Sequence, residues 1–572
     1  MRIINSCAPA LAICLTAAAH AAPASCLNDA GLSVPPGFCA TVFADGLGHP
    51  RHLTVAENGV VYANTWGRHG SDAAAAGGYL VALQDTNGSC KANVVKRFGP
   101  TPASGGAGGT GIALYKGAVY AEEKDRIERY KLTAGDIVPT GPPEVIVSGL
   151  PLGGDHPMHP FVIDTDGVLY VDVATATNAC QHRNRQPQAP GDQPCTELNT
   201  RGGIWRFDAD RTGQKFSPAE RYATGIRNAD GIAVDPSGRG IWATQHGRDQ
   251  LHENWPALYR PEEEATQPAE ELLRVRQGGD YGWPQCYYDE VRARLVLAPE
   301  YGGDGGKAVG VCAQKLAPVA SFPAHWAPND VVIYTGTSFP ARYHDGAFIA
   351  FHGSWDRAPY PQGGYNITFQ QLKAGKATGR CEVFADGFAG AVKQPGEAAH
   401  RPSGVAVGPD GALYVSDDSH GRIYRIIYQG GAADAAAPGT PCPPVDAPAG
   451  VIASTGLPAG EAHAADAALP IPPGSSREAL MQGDDVFHGR AGGGTCAACH
   501  GDTAQGTPQG PALTGRDWVW SDGSYAGIAR TVWDGVPQPK NFSEPMPPKG
   551  GANLTSHQVS AVAAYVWALS HR

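Results

Sequence analysis

Residues 496–500 read Cys-Ala-Ala-Cys-His. Two thiols at this spacing, followed directly by an imidazole, carry the chemistry of covalent heme attachment: the thiols add to the vinyl groups and the imidazole ligates iron. A redox dithiol or half of a zinc cage shares the spacing. No second C-x-x-C lies nearby to complete a cage, however, and no strand leads into the motif as in thioredoxin-like folds. Cys496 and Cys499 are thus the expected attachment thiols and His500 the expected iron ligand of a single covalent heme c. The second axial ligand is found by elimination, because the chain has only four Met. Met1 leaves with an export signal, Met158 lies among β hairpins, and Met481 precedes the motif. Met546, in Glu-Pro-Met-Pro-Pro, sits on a proline-stiffened loop where its thioether would complete His/Met ligation and raise the potential. The plainer role for Met546 is filling a gap in a core.

The elements around this motif are helical. The last segment, LTSHQVSAVAAYVWALSHR, offers Thr555 or Ser556 as N-cap with Gln558 close by, and Val559, Val562, Val566 and Leu569 recur at helical spacing. With GGGTCAACHG, GPALTG and EPMPPKG in that order, residues 475–572 resemble a class I cytochrome c domain. Before them, residues 429–474 are dominated by Ala, Gly and Pro and read as an extended linker.

Residues 23–428 are organised differently. A two-strand unit with a Gly-containing turn recurs from His49, Gly109, His159, Asn228 and His400, with a degenerate copy from Pro328. Many copies are followed by a further strand, as in GGYLVALQD or GRIYRIIY. Apolar and polar residues alternate around D-G and N-G turns, the hairpin signal. Six such sheets arranged radially predict a six-bladed β-propeller, so the fold class is mainly β with a C-terminal all-α domain. A large β-sandwich is the plainer alternative.

Composition fits: 75 Gly and 48 Pro against 17% charged residues suit a turn-rich β protein and exclude a coiled coil. A net charge of −11 without a basic run argues against nucleic acid as a partner. Residues 1–22 read as a cleaved signal peptide, with Arg2, an apolar stretch and Ala19-His20-Ala21 as the cleavage pattern. No later stretch is apolar enough to span a bilayer, and the predicted location is periplasmic. Nine cysteines outside the signal and the heme motif suit an oxidising compartment. Short separations favour Cys26–Cys39, Cys180–Cys195 and Cys286–Cys312, and the odd number leaves a thiol over.

Several stretches of residues 35–428 resemble the soluble quinoprotein aldose and glucose dehydrogenases and their sorbosone dehydrogenase-like relatives. Those are six-bladed propellers that bind pyrroloquinoline quinone (PQQ) with calcium. At Gly154-Asp155-His156 the resemblance implies His156 as catalytic base, with Asp155 holding its tautomer or orienting substrate; His159 is the local competitor. At Gly225–Gly231 it implies Arg227 stabilising the oxyanion and Asn228 bonding the cofactor. In Thr-Gln-His-Gly-Arg-Asp it implies the main-chain carbonyls of Gly247 and Arg248 as calcium ligands, and it places Arg357 and Arg401 as cofactor-gripping cations. An Arg at 357, where the family has Lys, is a departure. The implied function is oxidation of an aldose, or a related aldehyde or alcohol, at PQQ. Electrons would pass to the chain's own heme and on to a periplasmic acceptor: a cytochrome, a copper protein or a quinone-linked oxidase. A calcium-dependent lactonase-like propeller and a non-catalytic docking module carrying the cytochrome are the alternatives.

Overall fold

A computed structural model describes residues 26–571 apart from 66–76, 101–107, 239, 358–359, 396, 431–438, 444–468, 490, 492–495, 502, 508, 543–544 and 553. The segment read as a signal peptide lies outside the described residues, as does most of the linker.

The six repeats form six blades, each built on four antiparallel strands; Gln214–Lys215 adds a parallel fifth strand to the second blade and Thr440–Pro441 an antiparallel one to the fifth. Their first strands, Pro50–Val55, Ile112–Tyr115, Phe161–Ile163, Ile232–Val234, Pro328–Ile333 and Pro402–Val407, pack one on the next in an unbroken ring. The ring closes because the N-terminal strand, Phe38–Ala44, supplies the outermost strand of the sixth blade by pairing with Arg422–Tyr428. Closure of this kind ties both ends of the propeller into one sheet and removes an open edge. The degenerate repeat from Pro328 is a full blade, with Ala347–Phe351 and Asn366–Gln370 as its next strands.

The repeats carry a second regularity. Their second strands read Val-Tyr-Ala-Asn64, Val-Tyr-Ala-Glu122, Leu-Tyr-Val-Asp172, Ile-Trp-Ala-Thr244, Phe-Ile-Ala-Phe351 and Leu-Tyr-Val-Ser416. In five of the six the fourth residue is polar and buried, and each reaches the backbone of the next blade. Asn64 donates to the Gly111 carbonyl at 2.9 Å, and Glu122 accepts the His159 N–H at 2.8 Å. Asp172 accepts the Ala229 N–H at 3.2 Å, Thr244 donates to the Pro328 carbonyl at 2.8 Å, and Ser416 donates to the Arg51 carbonyl. In blade five Phe351 cannot do this. Asp330, on that blade's first strand, accepts the Val405 N–H of blade six at 2.8 Å instead. Buried polar groups need partners, so each of these side chains fixes the register between neighbouring blades.

Three of the four disulfides lie within loops or single blades: Cys180–Cys195, Cys286–Cys312 and Cys381–Cys442. The fourth corrects the sequence expectation. Cys26 pairs with Cys90 rather than Cys39, and Cys39 is the buried free thiol. Ring closure sets the N-terminal segment beside the first blade, so residues 64 apart in sequence become neighbours. The linker is also more anchored than its composition implies. Thr440–Pro441 pairs with the outer strand of blade five, and Cys442 is disulfide-bonded beside it.

The region between Leu251 and Phe322 elaborates blade four with two short helices, α1 (Leu251–Asn254) and α2 (Pro261–Thr266), and a small hairpin. In the C-terminal domain, α3 (Arg477–Phe487) crosses α6 (Ser556–Ser570), with α4 (Cys496–His500) and α5 (Tyr525–Asp534) around them. Thr555 and Gln558 form a reciprocal cap at the start of α6. Gly483 permits the crossing: a Cβ there would lie 2.0 Å from the Ala561 carbonyl oxygen.

Glu122 is the most heavily used of the inter-blade groups, accepting the N–H groups of Thr110, Gly111 and His159 and contacting the His159 ring at 3.1 Å. Burial opposes its charge, but His159 and the backbone outweigh that and hold its pKa below the usual range. Its stabilising effect is therefore present at neutral pH and is lost as pH falls through the lowered pKa. Glu122→Leu strands three buried N–H donors and is expected to cost at least about 3 kcal/mol. Calorimetry should show a lowered propeller transition, with Glu122→Gln lying between this variant and wild type.

Candidate active site

The loops at one end of the propeller and the open face of the C-terminal domain enclose one continuous cavity. On the propeller side it is lined by four arginines, Arg51, Arg185, Arg227 and Arg401, and three aspartates, Asp155, Asp230 and Asp249. On the other side are Cys496, Cys499, His500 and Met546 among apolar side chains such as Leu513, Ile528 and Val566.

Blade positions explain the propeller half. Arg227 and Asn228 precede the first strand of blade four, and Arg401 precedes that of blade six. Arg227 is 2% exposed. Its guanidinium donates to Asp249 at 2.8 Å, to the Asn178 side chain at 3.0 Å and to the Gly247 carbonyl at 2.9 Å. The same Asp249 oxygen accepts from Arg185 at 2.8 Å, and Arg185 also donates to Asp155 at 2.9 Å. An alternating chain, Asp155–Arg185–Asp249–Arg227, thus runs along the wall, and the two arginines hold Asp249 firmly ionised against its burial.

His156 stands next to this chain. Its Nδ1 lies 3.0 Å from the Thr175 carbonyl, which can only accept, so Nδ1 carries the proton and Nε2 keeps its lone pair. Burial, followed by the charges of Arg227 and Arg185, pushes its pKa well below 6.5. The imidazole is neutral at neutral pH, the form a general base needs. His159 is a different case, with both ring nitrogens engaged, by Glu122 and by the Pro151 carbonyl. It holds the fold, not the cavity.

Arg401 donates to the carbonyls of His352 and Gly353. Neutral carbonyls leave its charge available to an anion. With four guanidiniums against three carboxylates, the lining fits a group bearing several carboxylates, as PQQ does. Arg357 lies elsewhere: its guanidinium donates to the carbonyls of Pro361, Ala265 and Ala324, and it does not line the cavity. Its expected place at the quinone is corrected accordingly. Gly247 and Arg248 do not line the cavity either. The Gly247 carbonyl already accepts from Arg227, and the Arg248 guanidinium is buried in an ion pair with Glu300. The expected calcium contacts are main-chain carbonyls; of these, the Gly247 carbonyl accepts from Arg227, and the Arg248 side-chain ion pair leaves its own carbonyl unaffected.

The heme half fits its group. His500 Nδ1 lies 2.8 Å from the Pro511 carbonyl, which fixes the ring and leaves Nε2 for iron. A backbone bridge between Val536 and Met546 holds the methionine loop against the end of α5. Apolar walls and the partly buried Met546 thioether suit a macrocycle whose potential would be raised by exclusion of water.

The two halves touch directly. Gln250 donates to the Gly551 carbonyl at 2.9 Å, and a Cβ at Gly551 would meet that same amide at 2.9 Å and the Trp355 ring at 3.1 Å. Several contributors had little sequence signal. Arg51 could have been found from its place at the start of the first repeat, as Arg401 was at the last. Arg185, Asp249 and Trp355 stand on loops outside the repeat register.

Comparison with known proteins agrees with this division. Residues 32–429 match the family described as TrAA12-like, and residues 479–566 match cytochrome c oxidase, cbb3-type, subunit III. An uncharacterised protein of Borreliella burgdorferi is 28% identical over 225 residues, 38% of this chain and 50% of its own length. A pyrroloquinoline quinone-dependent sugar dehydrogenase of Hypocrea jecorina is 25% identical over 221 residues, 35% of this chain and 47% of its own. The chain thus spans about half the length of these curated relatives. Among solved structures, a Trichoderma reesei AA12 enzyme superposes with a TM-score of 0.55 at 20% identity, covering 70% of this chain and 98% of its own. The PQQ domain of Coprinopsis cinerea pyranose dehydrogenase gives 0.53 at 20%, covering 69% and 97%. These two likenesses establish the propeller fold.

The charges around His156 make its basicity tunable. Arg185→Gln removes one of the two cations that depress its pKa and should move it upward, toward 6.5. Histidine NMR titration of the full chain measures this. An unmoved or lowered value would contradict the electrostatic assignment.

Proposed function

The chain belongs to the TrAA12-like family, and from that premise we propose that it is a periplasmic PQQ-dependent dehydrogenase that oxidises an aldose, or a related aldehyde or alcohol, and delivers the electrons to its own c-type heme. The single observation that carries this reading is the continuous cavity: a cationic, base-bearing half opens into an apolar half lined by the heme-attachment residues. When bound, PQQ supplies a two-electron acceptor and heme c a one-electron relay.

The residues then take definite tasks. His156 Nε2 removes the proton of the substrate hydroxyl, and the Thr175 carbonyl holds the imidazole in the tautomer that can do so. Asp155 acts at one remove, by fixing Arg185. Arg227, anchored by Asp249 and Asn178, presents a fixed positive charge to oxygen atoms at the centre of the cavity, while Asn228 beside it supplies an amide. Arg401 would hold a carboxylate of the quinone, and Arg51, paired with Asp230 and Asp418, would add positive charge beside it. Cys496 and Cys499 would tether a heme, and His500 and Met546 would be the residues to hold its iron. Disulfides in the propeller support an oxidising compartment, and among the described residues no helix is long and apolar enough to cross a membrane. The onward acceptor is a soluble periplasmic redox protein or a quinone-linked oxidase. A docking module without catalysis has no use for a buried neutral imidazole beside paired arginines.

The test uses heme-loaded full-length protein supplied with PQQ and a panel of aldoses, sorbosone and simple alcohols. Heme reduction should require both PQQ and substrate, and His156→Ala should slow it by roughly two to four orders of magnitude. Gly551→Trp, which forces the two halves apart, should slow heme reduction while leaving oxidation coupled to a small soluble dye intact. Heme that stays oxidised with every substrate would overturn the reading.

A further inference from the structure

Behind the Asp249 wall, three side chains from two neighbouring blades converge, each turning a ligating atom toward the others. Asp249 follows the second strand of blade four, His325 follows its last strand, and Asp356 follows the second strand of blade five. One ligating atom from each lies within 4.8 Å of the other two.

The imidazole settles what this convergence needs. His325 Nε2 lies 2.8 Å from the Glu264 carbonyl and 3.0 Å from the Gln267 carbonyl. Both can only accept, so Nε2 carries the hydrogen and Nδ1 is a bare lone pair. That lone pair lies 3.2 Å from Asp356 Oδ2. Two lone pairs at this distance repel unless something positive sits between them. Asp356 is 2% exposed, its Oδ2 accepts the Gln250 N–H at 3.2 Å, and its Oδ1 is buried without a hydrogen-bond partner. A proton shared between Asp356 and His325 would relieve that one contact, but it leaves the buried Oδ1 of Asp356 without a partner.

We propose that Asp249, His325 and Asp356 bind one divalent transition-metal cation of the zinc type, at a site separate from those of the quinone and the heme. One nitrogen and two carboxylates form a donor set that zinc accepts, whereas calcium takes six to eight oxygens. An imidazole whose second nitrogen donates to backbone carbonyls is the usual support of a metal-binding histidine. The 3.2 Å between Nδ1 and Oδ2 is close to the ~3.3 Å that separates two donors set tetrahedrally at zinc bond lengths of about 2.0–2.1 Å. Three protein donors leave a fourth position for water.

The cation would act as a positioning device. Asp249 holds Arg185 and Arg227 through one oxygen, and anchoring the rest of its carboxylate fixes both guanidiniums in the cavity wall. This second role rests on the proposed function; metal binding itself does not.

Heme iron provides an internal count for the test. Full-length heme-loaded protein, stripped with chelator and dialysed against zinc, should hold one zinc per iron by plasma mass spectrometry. Zinc-edge X-ray absorption should show a nitrogen and oxygen shell with imidazole scattering. His325→Gln and Asp356→Asn should each lower the zinc-to-iron ratio at least tenfold while keeping heme absorbance and circular dichroism. If either variant fails to fold, the wild-type absorption spectrum and the thermal stabilisation that zinc confers on stripped wild type decide the matter. Less than a tenth of a zinc per iron in wild type, a shell without imidazole, calcium bound in preference to zinc, or unchanged zinc in both folded variants would each overturn the proposal. The assay contains no substrate, so absent sugar oxidation with bound zinc would overturn only the dehydrogenase reading.

Discussion

A buried polar side chain reaching from one blade to the backbone of the next is the interaction on which the rest of this molecule depends. Asn64, Glu122, Asp172, Thr244 and Ser416 occupy the same position in five repeats, and Asp330 substitutes in the blade where that position holds Phe351. Apolar contacts between blades are non-directional and would tolerate a slip; a buried carboxylate bonded to particular N–H groups does not. Each bond clamps the start of the following first strand. Arg51, Asn228 and Arg401 lie at or near those starts, so the ring that registers the blades also registers the cavity wall.

Within the cavity, electrostatics are arranged by alternation. Arginines are paired with aspartates along the wall, while His156, His246 and His352 are each kept neutral, chiefly by burial and then by neighbouring guanidiniums. The result is an environment with a modest positive excess and a proton acceptor that stays free through the neutral range. A base exposed to solvent would not combine these properties.

Much of this was legible in the residues. The repeated hairpins gave the blade count, including the weak copy from Pro328, because strand alternation and turn chemistry are local signals. The Cys496–His500 motif and the cap at Thr555 are local as well, and so is the position of His156 ahead of the third hairpin. What could not be read was set by closure and by loops. The Cys26–Cys90 bond exists because the N-terminal strand joins the last blade, a fact that no spacing encodes. Arg357 carries a cation where the family has Lys, but its loop turns it toward the carbonyls of Ala265 and Ala324. Gly247 offers the expected carbonyl, and Arg227 occupies it. Asp249 and Arg185 carry no repeat register, so only the folded chain shows that they form one network with Arg227.

The contact of Gly551 with Gln250 and Trp355 has a consequence for how the molecule is made. It joins the two faces that between them wall the cavity, with the thiols of Cys496 and Cys499 on one side and the arginines on the other. A chamber formed by two domains is filled most readily while they are apart. Heme ligation to the thiols needs an enzyme to reach them, and a rigid quinone needs a way past Trp355. If heme and quinone bind as proposed, both would enter before the two halves meet, and docking would come last.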